Sequence, residues 1–225
     1  WIFGVGMSVL TALVILGGIR GIAKVTSKLV PTMCLIYIVS ALVVLIANGD
    51  RLIPAIQMIV NEAFNPRAAV TGGFLAAFIW GIRRATFSNE AGIGSAAIAH
   101  AAVKTKKPAS EGVVALLEPF IDSVIVCTMT SLVIVSSMHF HGDSGDFVVN
   151  GVEQTLTDKN NSSTFGIGLT SLAFQSVHDS FRYILFICVL LFAFSTLITW
   201  SYYGLQAWQY LLGRGKFAEI AYKVI

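Results

Sequence analysis

Five apolar stretches, about 2–18, 29–47, 70–82, 112–136 and 181–203, alternate with polar connections along the chain. A helix needs about 20 mostly apolar residues to cross a bilayer core of ~30 Å. The pattern therefore predicts five membrane-crossing helices. Pro31 falls near the start of the second, where a helix tolerates proline. The third is short and opens on Gly72-Gly73. Residues 205–225 read as a loop leading into a further helix near 215–225.

Two connections exceed a bare turn. Residues 53–64 carry apolar positions at helical spacing and read as an amphipathic helix lying on the outer surface. Residues 137–180 form a long polar loop, with a short helix expected at 171–177. That loop contains Asn160-Asn161-Ser162-Ser163, which formally includes glycosylation acceptors, as a polar loop does by chance. With Trp1 first, no basic n-region and no cleavage site, the chain reads as an internal piece of a longer protein.

Composition agrees. Only 12% of residues are charged, about half the share of a soluble domain. The net charge of +3 matters less than where the charges fall. Arg20, Lys24 and Lys28 follow the first stretch with no acid among them. Connection 83–111 carries Arg83, Arg84, Lys104, Lys106 and Lys107, and the tail carries Arg214, Lys216 and Lys223. The second connection is balanced (Asp50, Arg51, Glu62, Arg67) and the fourth is acidic (Asp143, Asp146, Glu153, Asp158, Asp179). Basic connections thus alternate with the others, as five successive crossings require. The positive-inside rule places them in the cytoplasm and Trp1 outside.

Ionisable groups are costly in lipid and invite a functional reading. Glu118 and Asp122 lie four residues apart on one expected helix face, with Pro119 between them. They suit a cation site or a proton-linked gate; a buried acid bonded to neighbouring helices is the alternative. Ser195, Thr196, Thr199 and Trp200 fall in or near the middle of the fifth stretch. A hydroxyl beside an indole fits a small zwitterion, and adjacent hydroxyl oxygens suit sodium. The alternative is hydroxyls that hydrogen-bond within or between membrane helices and a Trp at the membrane interface. Phe74 and Phe78 line a cavity if the third helix is broken at its glycines; otherwise those glycines serve close packing. Cys34, Cys127 and Cys188 lack metal or redox spacing and read as small buried apolar residues.

The stretch 87–102, FSNEAGIGSAAIAHAA, lacks the strand and the spacing of a dinucleotide fingerprint. A Ser95/His100 nucleophile pair would imply an intramembrane hydrolase, but no third orienting group is evident. The basic loops have no interleaved aromatic residues, which argues against a nucleic-acid partner.

The runs GIRRATFSNEAGIGSAAIAHAA, FIDSVIVCTMTSLVIV and FAFSTLITWSYYG occur here in the order and spacing of the sodium:alanine symporter family. The chain resembles that family over nearly its whole length. The resemblance implies an all-α polytopic membrane protein, part of the five-plus-five inverted-repeat fold of neurotransmitter:sodium symporters. It implies a substrate contact for Thr196 and Trp200, cavity walls at Phe74 and Phe78, and a sodium site at Ser195 and Thr196, with Asp122 as a further sodium ligand. The expected activity is not enzymatic. It is import of a small neutral amino acid, alanine or glycine, with co-transported sodium across a bacterial inner membrane, by alternating access. Proton coupling through Asp122 or Glu118, the hydrolase and a non-transporting scaffold are the rivals. Loop 137–180 is longer than the family's usual, and the first core helix, which supplies much of the site in that fold, lies outside this sequence.

Overall fold

The computed structural model describes residues 1–64, 74–90, 92–141, 146–149, 152–155, 166–213 and 215–224. Arg67, Gly72-Gly73, Asp143, Asp158, the acceptor stretch 160–163 and Arg214 lie outside the described residues.

Helix α1 (Ile2–Leu16) ends at Gly17, and α2 (Gly18–Ala47) starts at the next residue. The basic stretch bearing Arg20, Lys24 and Lys28, expected as a connection, is instead the first part of α2. Thirty residues of α-helix reach about 45 Å, longer than a bilayer core is thick. Pro31, expected at a helix start, lies well inside α2, where it leaves one ladder bond unmade. The amphipathic stretch forms α3 (Gly49–Ala63), and the short third stretch forms α4 (Phe74–Ser88). Arg83 and Arg84 are the last charges within α4, and the Arg83 guanidinium stacks over the Trp80 ring at 5.3 Å.

After α5 (Ala96–His100) the chain forms one long rod between Pro108 and Ser137. The rod comprises α6 (Pro108–Ala115), the short α7 (Leu117–Pro119), a π-helix (Phe120–Cys127) and α8 (Thr128–Ser137). The change of register has a local cause. Pro119 has no N–H to donate and its ring crowds the carbonyl of the preceding turn. The ladder beyond it closes as i→i+5 bonds.

Loop 137–180 is more structured than expected. It holds β1 (Met138–His141), β2 (Asp146–Val149) and β3 (Val152–Thr155), paired antiparallel in that order. Residue Met138 faces Val149, and Val149 also faces Val152. Then come α9 (Ile167–Gln175), at the site of the expected short helix, α10 (Phe181–Leu212) and α11 (Lys216–Val224).

Among the described residues, three helical segments are long and apolar enough to cross a membrane: Gly21–Ala47, Pro108–Ser137 and Phe181–Leu212. Their side chains are largely exposed, as at Leu35, Ile46, Val124, Phe186 and Leu197. A long helix with all backbone bonds satisfied internally and apolar side chains outward is what a bilayer demands. The chain is a mostly helical membrane protein.

The residues fall into two compact units. The first holds 1–36, 94–104 and 186–225, with Ile22, Met33, Cys188, Ile198 and Tyr203 buried. In it α11 rests on α10: Trp208 Nε1 donates to Ala218 O at 2.9 Å, and the Trp208 and Tyr222 rings lie 6.1 Å apart. The second unit holds 37–93 and 105–185. There α3 and α9 pack on α8. Tyr37, Val44, Ala55, Val133 and Phe174 are buried, with the Tyr37 and Phe174 rings 5.8 Å apart.

Candidate functional site

The fifth apolar stretch places its hydroxyls on α10. Ser195 Oγ and Thr196 Oγ1 each donate to Phe192 O at 2.9 Å, and Thr199 Oγ1 donates to Ser195 O at 2.9 Å. A hydroxyl has one hydrogen and two lone pairs. With the hydrogens committed to the helix itself, these oxygens present acceptors only. That suits a hard cation or an ammonium group, neither of which can accept a hydrogen bond. Ser195 is buried, Thr196 exposed and Trp200 39% exposed. Thr196 and Trp200, four residues apart, share one face of α10 with Phe192. The indole stands edge-on to Tyr203 at 5.9 Å.

Phe74, Phe78 and Asp122 belong to the second unit. Phe74 opens α4, and Phe78 projects from the next turn, 55% exposed. Asp122 lies in the first turn of the π-helix and accepts a hydrogen bond from Ser88 Oγ. Beside it Asn89 Nδ2 donates to Ser123 Oγ at 2.8 Å, and Arg84 Nη2 donates to Cys127 Sγ at 3.4 Å. The Cys127 contact holds the Arg84 guanidinium above its ordinary value although burial lowers it, and the Asp122 carboxylate acts in the same upward direction. Arg84 is a fixed cation next to Asp122. Glu118, expected on one face with Asp122, differs from it in setting: Glu118 is exposed and Asp122 half-buried.

These three side-chain bonds were not foreseen, and two of them begin in the signature stretch. Ser88 and Asn89 are the S and N of SNEAGIGS, a stretch with no role assignable from spacing. The usable signal was the four-residue interval between Arg84 and Ser88, which puts both on one face of α4. The second half of the signature lies in the first unit. Ala97, Ile98, Ala101 and Ala102 line a cavity of about 670 Å³ with Tyr202, Gln206, Gln209 and Tyr210. Ser95 is buried at the N-terminal end of α5. Among the described residues, no group of three or more His, Cys, Asp and Glu is placed to hold a metal ion.

Long apolar helices with apolar side chains turned outward define a helical membrane protein. The chain belongs to the sodium:alanine symporter family, whose model matches residues 1–225. That family comprises transporters, not enzymes. The chain is 39% identical over 214 residues to the sodium/alanine symporter AgcS of Methanococcus maripaludis, a match covering 94% of this chain and 43% of that protein. It is 35% identical over 224 residues to a Haemophilus influenzae protein described as an uncharacterized transporter (96% and 45% covered). It is 28% identical over 190 residues to the sodium/proton-dependent alanine carrier protein of Bacillus sp. PS3 (84% and 41%). The chain spans under half the length of these relatives.

Proposed function

We propose that the protein containing this chain is a secondary active symporter. It imports a small neutral amino acid, alanine or glycine, together with sodium across a bacterial inner membrane. The observation that carries this reading is the Ser195–Thr196 pair. Both hydroxyls donate to Phe192 O, so both oxygens are left as acceptors, one turn from an exposed indole. Ser195 and Thr196 would ligate sodium, while Thr196 and Trp200 would hold the ammonium group and side chain of the substrate. The relatives' printed names, a sodium/alanine symporter and a sodium/proton-dependent alanine carrier, support sodium and alanine as the pair to test first.

The same reading supplies the architecture. Five crossings at 2–18, 29–47, 70–82, 112–136 and 181–203 would be the last two helices of one inverted repeat and the first three of the next. Sodium would favour the outward-open state to which the substrate binds, and the bound substrate would then permit closure; coupling is the positive linkage between the two binding events. No covalent step is needed.

Proton coupling is the second reading. It is favoured by the half-buried Asp122 carboxylate and by the name of the Bacillus sp. PS3 relative. Equilibrium binding of radiolabelled alanine to the purified full-length protein separates the two. Sodium coupling requires affinity to rise with sodium at fixed pH; affinity that follows pH and ignores sodium would transfer the role to Asp122.

A further inference from the structure

We propose that Ser88 and Asp122 are a positioning pair, a latch that fixes the end of α4 against the π-helix and opens when the π segment returns to α register. The role in transport rests on the symporter reading above; the latch itself does not.

Three side-chain bonds join the two elements within the second unit. They run from Arg84 to Cys127, from Ser88 to Asp122 and from Asn89 to Ser123. On α4 the donors Arg84 and Ser88 are four apart, one above the other. On the facing element Asp122 and Cys127 are five apart. In an α-helix, at 3.6 residues per turn, five residues advance about 140° past a full turn, and the two would not face one neighbour. In a π-helix the i→i+5 bond stacks them. The π register is therefore what allows Arg84 and Ser88 to be met at the same time. Pro119, which cannot complete the α ladder, sits immediately before it.

This makes the segment two-state. Over residues 120–127 the alternative is ordinary α-helix, which would rotate Asp122 and Cys127 apart and break at least one of the outer two bonds. The turn after the latch is held out of its relaxed form as well. Glu90 is the described non-glycine residue with positive φ, at 51°, and Gly92 and Gly94 follow at 80° and 81°. A non-glycine residue persists in that region when its surroundings dictate it, and the bonded pair Ser88–Asn89 immediately precedes it.

Cys127 provides a native reporter. It is partly exposed and borders a cavity of about 430 Å³ with Ser123, Ile56 and Ile59. The experiment measures N-ethylmaleimide alkylation of Cys127 in the full-length protein in proteoliposomes, with every other cysteine replaced by alanine. Ser88→Ala should speed alkylation about fivefold, the factor that accompanies loss of one side-chain hydrogen bond. Ser88→Thr, which keeps the hydroxyl, should restore the slow rate. Combining Ser88→Ala with Asp122→Asn should add little to either alone. In uptake, Ser88→Ala should change the maximal rate and leave KM for alanine in place, because the pair does not touch substrate. Equal alkylation rates in the parent, Ser88→Ala and Ser88→Thr would overturn the latch whatever the uptake shows. A changed rate in a protein that takes up no amino acid would retain the latch and overturn the symporter reading.

Discussion

Tyr37 gives its phenolic hydrogen to Thr130 Oγ1, because Thr130 has already given its own to Val126 O at 2.7 Å. This bond ties the second half of α2 to α8, and the Tyr37 ring continues the contact to Phe174 of α9. Within a membrane, interhelical hydrogen bonds contribute about 0.6–1.7 kcal/mol. Tyr37→Phe should lower unfolding stability by that much, and Tyr37→Phe with Thr130→Val by less than the sum of the two singles. Chemical unfolding in detergent followed by circular dichroism reads this. A neutral Tyr37→Phe would mean the ring alone carries the junction.

The α10–α11 contact depends on a missing side chain. A Cβ at Gly204 would fall 2.0 Å from Tyr222 Oη and 3.0 Å from its Cζ. Gly204→Ala gains about 1 kcal/mol of helix propensity and displaces a ring whose aromatic contact is worth about 0.5–1.5 kcal/mol. The two nearly cancel, so global stability should shift by less than about 1 kcal/mol while the packing opens. In a variant with Trp208 as its one tryptophan, emission should move to the red on Gly204→Ala. Unchanged emission would place α11 elsewhere.

Gly92 and Gly94 adopt φ of 80° and 81°. A side chain in left-handed backbone costs about 1–2 kcal/mol. Nothing lies within 4 Å of a Cβ at either position, so this cost is not confounded by a clash. Alanine at either position should lower the thermal midpoint in detergent, and alanine at both should lower it roughly additively. Wild-type midpoints for both variants would show that the turn relaxes freely.

The hydroxyls of α10 should separate by ligand. Ser195→Ala should raise the sodium concentration needed for half-maximal uptake about tenfold, the scale of one charge-assisted contact, with KM for alanine little changed at saturating sodium. Thr196→Ala should raise both, and Trp200→Ala should raise KM for alanine alone. Ser195 and Thr196 bond within their own helix, so removing either hydroxyl orphans no partner side chain. Dose-response curves for sodium and alanine that do not move in Ser195→Ala and Thr196→Ala would remove this site.

Much of the fold was legible because lipid makes hydropathy a direct readout of helix position. The fourth and fifth stretches correspond to the 108–137 rod and to α10, and the amphipathic and short helices appear as α3 and α9. What escaped were features that hydropathy does not encode. The basic residues Arg20, Lys24 and Lys28 marked a boundary in charge, yet they continue α2, since Lys and Arg are good helix formers. The strands 138–155 arise from pairing, which local composition in a polar loop does not announce. The π register follows from Pro119, whose missing donor was visible, but its consequence depends on what the facing helix offers. The same holds for the site. Spacing shows that Thr196 and Trp200 share a helix face, whereas Ser88, Asn89 and Arg84 acquire meaning from partners more than thirty residues away.

The most direct test of the account is uptake of radiolabelled alanine by the full-length protein in proteoliposomes, under an imposed inward sodium gradient and then an inward proton gradient. Sodium alone should drive accumulation above equilibrium, reduced by Thr196→Ala. Accumulation driven by protons alone would contradict sodium symport, as would equilibration of alanine, under either gradient, without concentration inside.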